Sequence, residues 1–152
     1  MTHVLAEAEK NIRNVVANKR KNSVLIPYKI TDEKTFVYLQ KRTKNAKRLP
    51  DMFGLFGGGA KNTETPEKAL EREIEEELTF IPSGYIFLKK YESNKNIVNV
   101  FILKVDDDFE NRVKVNEGEF GKFFSDEDAL SEPKIIDAHK SILKDMFNFL
   151  NK

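Results

Sequence analysis

Strand-like segments interleaved with two long amphipathic helical stretches predict an α/β protein with a mixed sheet between helical layers. Three observations carry that fold class. SVLIPYKI (23–30) and TFVYLQKR (35–42) are rich in β-branched and aromatic residues and flank a polar turn, so they read as a hairpin. GYIFLKKYES (84–93) and NIVNVFILKV (96–105) repeat the pattern about a turn at 94–96. Helix-start signals stand at Thr65 and Pro133, each followed by apolar residues at helical spacing.

In chain order, Val4, Leu5, Ala8, Ile12, Val15 and Val16 suggest an accessory amphipathic helix within residues 1–20. After the first hairpin, residues 43–50 form a basic loop, and four glycines crowd positions 54–59, a density that predicts a tightly turning or functional loop. Thr65, Pro66 and Glu67 supply a capping hydroxyl, a proline at the first helical position and a first-turn acid, so a helix is expected from there to about Leu78. Beyond the second strand pair, Asp106 to Asp108 mark a break. GKFFS (121–125) predicts a short strand and SDEDAL (125–130) a short helix. A last helix is expected from Pro133, with Ile135, Ile136, Ile142, Leu143, Met146, Phe147 and Leu150 as its apolar side. No repeat or linker interrupts the chain, and its 152 residues are expected to make one domain, 1–152.

Composition narrows the function classes. Lys plus Arg number 26 against 25 for Asp plus Glu, a net charge of +1, so no global excess of cations draws the chain to nucleic acid. With no cysteine, disulfides, thiolate metal sites and a Cys nucleophile are excluded. Charges break up the N-terminal residues, leaving no apolar run for a signal peptide or membrane span, and a cytoplasmic location is expected.

The chemistry concentrates on the helix after Thr65. At about 100° per residue, Leu70, Ile74 and Leu78 make a buried stripe, and Glu77, Glu73 and Glu76 fall in one sector at its edge, about 20°, 60° and 120° away from Leu70. Like charges so placed destabilise a helix unless a cation neutralises them. Hard oxygen donors without Cys or clustered His favour Mg2+, with Mn2+ as a substitute. An acidic run such as EREIEEEL is often a solvated face, and Arg72 and Lys68 could balance Glu76 and Glu71. The glycine segment before it favours a phosphate site, because glycine lets backbone amides approach phosphate oxygens.

The run Gly58 to Phe80, GGAKNTETPEKALEREIEEELTF, resembles the Nudix box Gx5Ex7REUxEExGU, U being apolar; Gly58, Glu64, Arg72, Glu73, Ile74, Glu76, Glu77 and Phe80 fall in register. FGLFGG before it and VNEGEFGKFFS after it are also similar to segments of that family. Three positions depart from the pattern: Thr79 replaces the last glycine, Lys61 stands where an acid is common, and Thr63 where a glycine often precedes the first Glu. The resemblance implies a Nudix-like α/β/α sandwich with a mixed central sheet.

It also implies roles. Glu73, Glu76 and Glu77 would ligate Mg2+, Arg72 would orient them, and Glu64 would support the loop or a metal-bound water. Water would be the nucleophile, with Glu117 as an added ligand or base and Glu119 as the fallback. Gly57, Gly58, Arg42 and Phe53 would contact substrate, with Lys41, Lys44, Lys47 and Arg48 adding positive charge beside Arg42. Phe53 and Phe56 could stack on a base, but as alternating residues before a turn they read as core, and His3 and His139 are expected in surface or packing roles.

The implied activity is hydrolysis of a diphosphate linkage, with a nucleoside triphosphate, modified or not, giving monophosphate and pyrophosphate. Alternatives are a nucleotide-sugar or dinucleotide polyphosphate hydrolase, a catalytically weak nucleotide-binding module, and a calcium- or partner-binding module. The expected partner is a small nucleotide, with no stable nucleic-acid binding and no membrane, in a monomer or homodimer.

Overall fold

A computed structural model describes residues 19–152; the expected helix within residues 1–20 lies almost wholly outside them. Strand β1 (Arg20–Thr31) and β2 (Lys34–Lys41) form the expected hairpin, closed by Asp32 and Glu33, both with positive φ (52° and 65°). That left-handed pair matches the twist of a two-residue hairpin turn, here without glycine.

The glycine segment is not a free loop. Phe53–Gly54 (β3) pairs with the end of β2, and Phe56–Gly59 (β4) pairs antiparallel with the first half of β1, Leu25 opposite Phe56 and Asn22 opposite Gly59. Its glycines serve close approach: a Cβ on Gly57 (φ 140°) would lie 2.1 Å from the Ser23 carbonyl oxygen. Glycine in a strand commonly marks such a contact.

Helix α1 (Pro66–Leu78) follows as expected, with the Thr65 hydroxyl accepting from the Lys68 N–H at 3.2 Å. Strands β5 (Ile86–Glu92) and β6 (Asn96–Lys104) pair antiparallel, and β6 runs parallel to β1 along its whole length from Arg20–Asn96 to Tyr28–Lys104. A single helical turn unforeseen in the sequence, α2 (Phe109–Arg112), buries Phe109 beneath α1. Strand β7 (Phe120–Ser125) pairs with the free edge of β2, and α3 (Asp126–Ser131) and α4 (Asp137–Leu150) complete the described chain. The last helix begins at Asp137, not Pro133, because Lys134 and Ile136 exchange backbone hydrogen bonds with Phe53.

The pleat sorts the core into two layers. Val24, Ile26, Val37, Leu39, Val100 and Ile102 face α4, whose Ile142, Leu143, Met146 and Phe147 cover them. Leu25, Tyr38, Phe101 and Leu103 face the other way, against Leu70, Ile74 and Leu78 of α1. The result is the α/β/α sandwich with a mixed seven-stranded sheet. Among the described residues, no helix is long and apolar enough to cross a membrane.

Candidate active site

Burying Leu70, Ile74 and Leu78 fixes the rotation of α1 and turns its carboxylates toward the glycines of β4. A Cβ on Gly58 would stand 2.5 Å from Glu73 Oε2, so the bare backbone there lies against the Glu73 carboxylate. The Gly57 N–H donates to Glu77 Oε2 at 3.0 Å. Glu77 is 4% exposed, while Glu76, one position before it, projects into solvent.

Arg72 organises the loop and the helix together. Its Nε and Nη2 donate to both oxygens of Glu64, at 2.7 and 2.9 Å, and Nη2 also reaches the Gly59 carbonyl at 3.0 Å. Its Nη1 donates to Glu73 at 2.9 Å and, more weakly, to Glu76 at 3.4 Å. The Lys61 N–H adds a third bond to Glu64 at 2.7 Å, so backbone at Lys61, not an acidic side chain, secures this loop. Bonding to Arg72 holds the Glu64 carboxyl at about 2. Charge-assisted bidentate pairing is the strong form of such a contact.

Glu77 shows the opposite electrostatics. Burial pushes its carboxyl up to about 8, opposed by the Gly57 hydrogen bond, and the charges of Glu117, Glu73 and Glu76 raise it further. Glu117 lies in the segment before β7, directly after Asn116, whose N–H donates to the Glu77 carbonyl at 2.7 Å. The side chains do not close into a ready cage: among the described residues, no three His, Asp or Glu side chains stand at metal-binding spacing. Arg72 draws Glu73 and Glu76 one way, and Gly57 holds Glu77 another. The donor set still fits a hard divalent cation, being all carboxylate oxygen, with one carboxyl buried among acidic neighbours.

Other expected residues are engaged in contacts of their own. Phe53 is a core residue, packed edge-on against Phe124 at 4.8 Å, and is not placed to stack on a base; Phe56 is fully buried against Tyr38. Lys41 is buried and pairs with Asp51 at 2.6 Å, which removes it from the free positive charge near Arg42. Arg42 spends its Nε on the Arg48 carbonyl at 3.0 Å, bracing the loop in which Lys44, Lys47 and Arg48 are exposed. His139 packs as expected, its Nδ1 accepting from the Leu55 N–H at 3.2 Å. A cavity of about 260 Å3 opens between Ser23, Asn99 and Lys90, and Glu64 is the one box carboxylate on its wall.

Thr79 ends α1 in the left-handed conformation (φ 52°, ψ 44°) that the missing glycine would have adopted. Asn116, which nothing in the sequence singled out, compensates: its side chain donates to the Glu76 carbonyl at 3.0 Å and to the Thr79 hydroxyl at 2.7 Å. The available signal was the β-branched residue at a glycine cap, which demands a partner from elsewhere.

The family model for the NUDIX domain matches residues 19–146. The chain belongs to the Nudix hydrolase family. Among solved structures, a MutT/nudix family protein of Enterococcus faecalis superposes with a TM-score of 0.72 at 13% identity, over 88% of this chain and 62% of that one. This Nudix chain thus spans less than two thirds of that relative. The NUDIX domain of Shewanella oneidensis NrtR complexed with ADP ribose gives 0.70 at 15% identity, covering 87% and 88%. NrtR of the same organism complexed with a 27mer DNA gives 0.68 at 16%, covering 85% and 61%. At these identities the likeness is one of fold. No curated protein matches the chain in sequence.

Proposed function

We propose that this Nudix protein hydrolyses a diphosphate linkage in a nucleoside diphosphate derivative, a nucleoside triphosphate giving monophosphate and pyrophosphate being the leading case. The observation that carries the reading is the flank of α1, where Glu73 and Glu77 lie against the bare backbone of Gly58 and Gly57, and Glu76 and Glu117 add negative charge that acts on Glu77. Glu73, Glu76 and Glu77 would hold Mg2+ or Mn2+, with Glu117 as an added ligand or base and Glu119 behind it. When bound, such an ion neutralises charge on the diphosphate and lowers the pKa of a nearby water.

The chain's own groups do the rest. Arg72 orients Glu73 and Glu64 and keeps Glu64 ionised. A carboxylate takes the proton of the attacking water, and the P–O bond to the leaving phosphate breaks as the new one forms. The exposed Lys44, Lys47 and Arg48, with Arg42 at their base, raise the local concentration of an anionic substrate. Residues 1–152 act in this reading as one domain on a small nucleotide, without stable nucleic-acid binding, as monomer or homodimer in the cytoplasm.

A nucleotide-sugar or dinucleotide polyphosphate hydrolase would use the same carboxylates. A second reading, nucleotide binding without turnover, draws on Lys61, Thr63 and Thr79 and on the NrtR domain with its ADP ribose. Mass spectrometry of products from a panel of nucleoside triphosphates, nucleotide sugars and dinucleotides, with and without Mg2+, separates these. Pyrophosphate from triphosphates supports the leading case. Calorimetric binding with no product from any member overturns it.

A further inference from the structure

The segment between α2 and β7 is stitched to the end of α1. The last carbonyls of a helix lack partners within it. Here Lys114 N–H donates to the Leu78 carbonyl at 2.9 Å and Asn116 N–H to the Glu77 carbonyl at 2.7 Å. The Asn116 side chain takes the Glu76 carbonyl at 3.0 Å, and its second hydrogen goes to the Thr79 hydroxyl at 2.7 Å. Three successive carbonyls of the last turn are thereby satisfied by one strand of chain, two of them by a single residue.

The same segment is fixed on its far side to β2. Gln40 Nε2 donates to the Glu117 carbonyl at 2.8 Å, and the Glu119 N–H donates to the Lys41 carbonyl at 2.8 Å. Gly118 (φ 79°) permits this, since a Cβ there would stand 2.6 Å from the Lys41 oxygen. Glu117 directly follows the first clamp and its own carbonyl is held by the second, and its charge is felt by Glu77. The two carbonyls that Asn116 takes belong to Glu76 and Glu77 themselves.

We propose that Asn116, with the Thr79 hydroxyl as its partner, is a positioning residue that sets the loop carboxylate of Glu117 against the carboxylates of α1. Thr79 is then more than a tolerated departure: its hydroxyl receives the second hydrogen of the Asn116 amide, an acceptor that glycine lacks. The backbone donors of residues 114 and 116 reach only the Leu78 and Glu77 carbonyls, so the Glu76 carbonyl and the Thr79 hydroxyl both depend on the Asn116 side chain. The inference rests on the hydrolase reading for its catalytic arm, and on geometry alone for the rest.

Three proteins test it: the parent, Asn116→Ala, and Asn116→Ala combined with Thr79→Gly, which relieves the left-handed strain and restores stability without restoring the amide. Amide hydrogen exchange over residues 114–119, calorimetric Mg2+ affinity, kcat and KM for the nucleotide, and thermal midpoint are measured for each. Asn116→Ala is expected to speed exchange in 114–119 and to weaken Mg2+ binding and kcat by about tenfold or more, the usual effect of a group that orients ligands. KM should change little. The double variant should regain the thermal midpoint and leave exchange, affinity and kcat impaired. Recovery of all four together would reduce Asn116 to a cap and overturn the proposal, as would an Asn116→Ala protein with parental affinity and kcat. Should the parent turn over no diphosphate, the hydrolase reading falls, and exchange and Mg2+ affinity still decide on Asn116.

Discussion

Arg72 grips Glu64 with two parallel bonds of 2.7 and 2.9 Å while its remaining nitrogen holds Glu73 at 2.9 Å, tying the loop before α1 to a carboxylate on it. Lysine has the charge but not the planar fork. Arg72→Lys should lower kcat/KM by about a hundredfold and the thermal midpoint by several degrees. Glu64 sits at about 2, so its ionisation should put no limb in the pH–rate profile above about pH 3. Steady-state kinetics from pH 4 to 9 on parent and variant check both. A lysine variant with parental activity contradicts the clamp.

Gly58 and Gly57 differ in what crowds them, and the difference separates site from scaffold. An added Cβ at Gly58 meets first the flexible end of Glu73, with Oε2 at 2.5 Å. At Gly57 it meets Ser23 and Val24 backbone at 2.1 and 2.7 Å, at a φ of 140° that favours glycine. Gly58→Ala should keep the fold and lose activity about tenfold or more by displacing Glu73. Gly57→Ala should lose about 2–4 kcal/mol of stability by prising β4 from β1. Urea denaturation and kinetics on both variants test the contrast, and reversed effects would refute it.

Glu77 links metal to protons. Its folded pKa, about 8, lies above the ordinary carboxyl value, so the metal-free protein is destabilised as pH rises from about 4.5 to about 8. A cation ionises it, so Mg2+ binding near pH 6.5 should release about one proton, and none above about pH 9. Calorimetry in two buffers of different ionisation enthalpy reads this directly. Heats independent of buffer at pH 6.5 would argue against Glu77 as a ligand.

His139 works the other way. Burial holds it down at about 4, with Arg42 contributing, and its Nδ1 must stay unprotonated to accept from Leu55. The unfolded chain takes up the proton first, so this group's contribution is intact above about pH 6.5 and falls away toward pH 4. From pH 7 to 5 the loss is about 2 kcal/mol. Glu77 offsets it over the same interval, so the informative quantity is the difference between parent and His139→Gln, whose carbonyl accepts without titrating. Parallel stability curves for the two proteins would show that His139 does not titrate as stated.

What could be read from the sequence depended on how local each cause was. The cap at Thr65, the stripe Leu70, Ile74 and Leu78, and the alternation along 23–42 and 96–105 are settled within a few residues, and the structure has them. The Nudix fold was legible because the box fixes many residue types at set spacing. What was missed depended on partners distant in sequence. The glycines of 56–59 look like a turn until Ser23 is laid beside them. The final helix starts late because Phe53 claims the backbone of 134–136. Lys41 reads as free charge until Asp51 folds back on it, and Asn116 is an ordinary polar residue until the end of α1 is placed against it.

Glu76 offers the cleanest examination of the metal-binding flank, since it is exposed and its one side-chain contact, to Arg72, is long at 3.4 Å. Replacing it with Gln changes a charge and almost nothing else. Mg2+-dependent turnover of nucleoside triphosphates by Glu76→Gln should fall by at least about a hundredfold with the thermal midpoint unchanged. Parental turnover by that variant at every Mg2+ concentration would mean that these carboxylates do not serve hydrolysis.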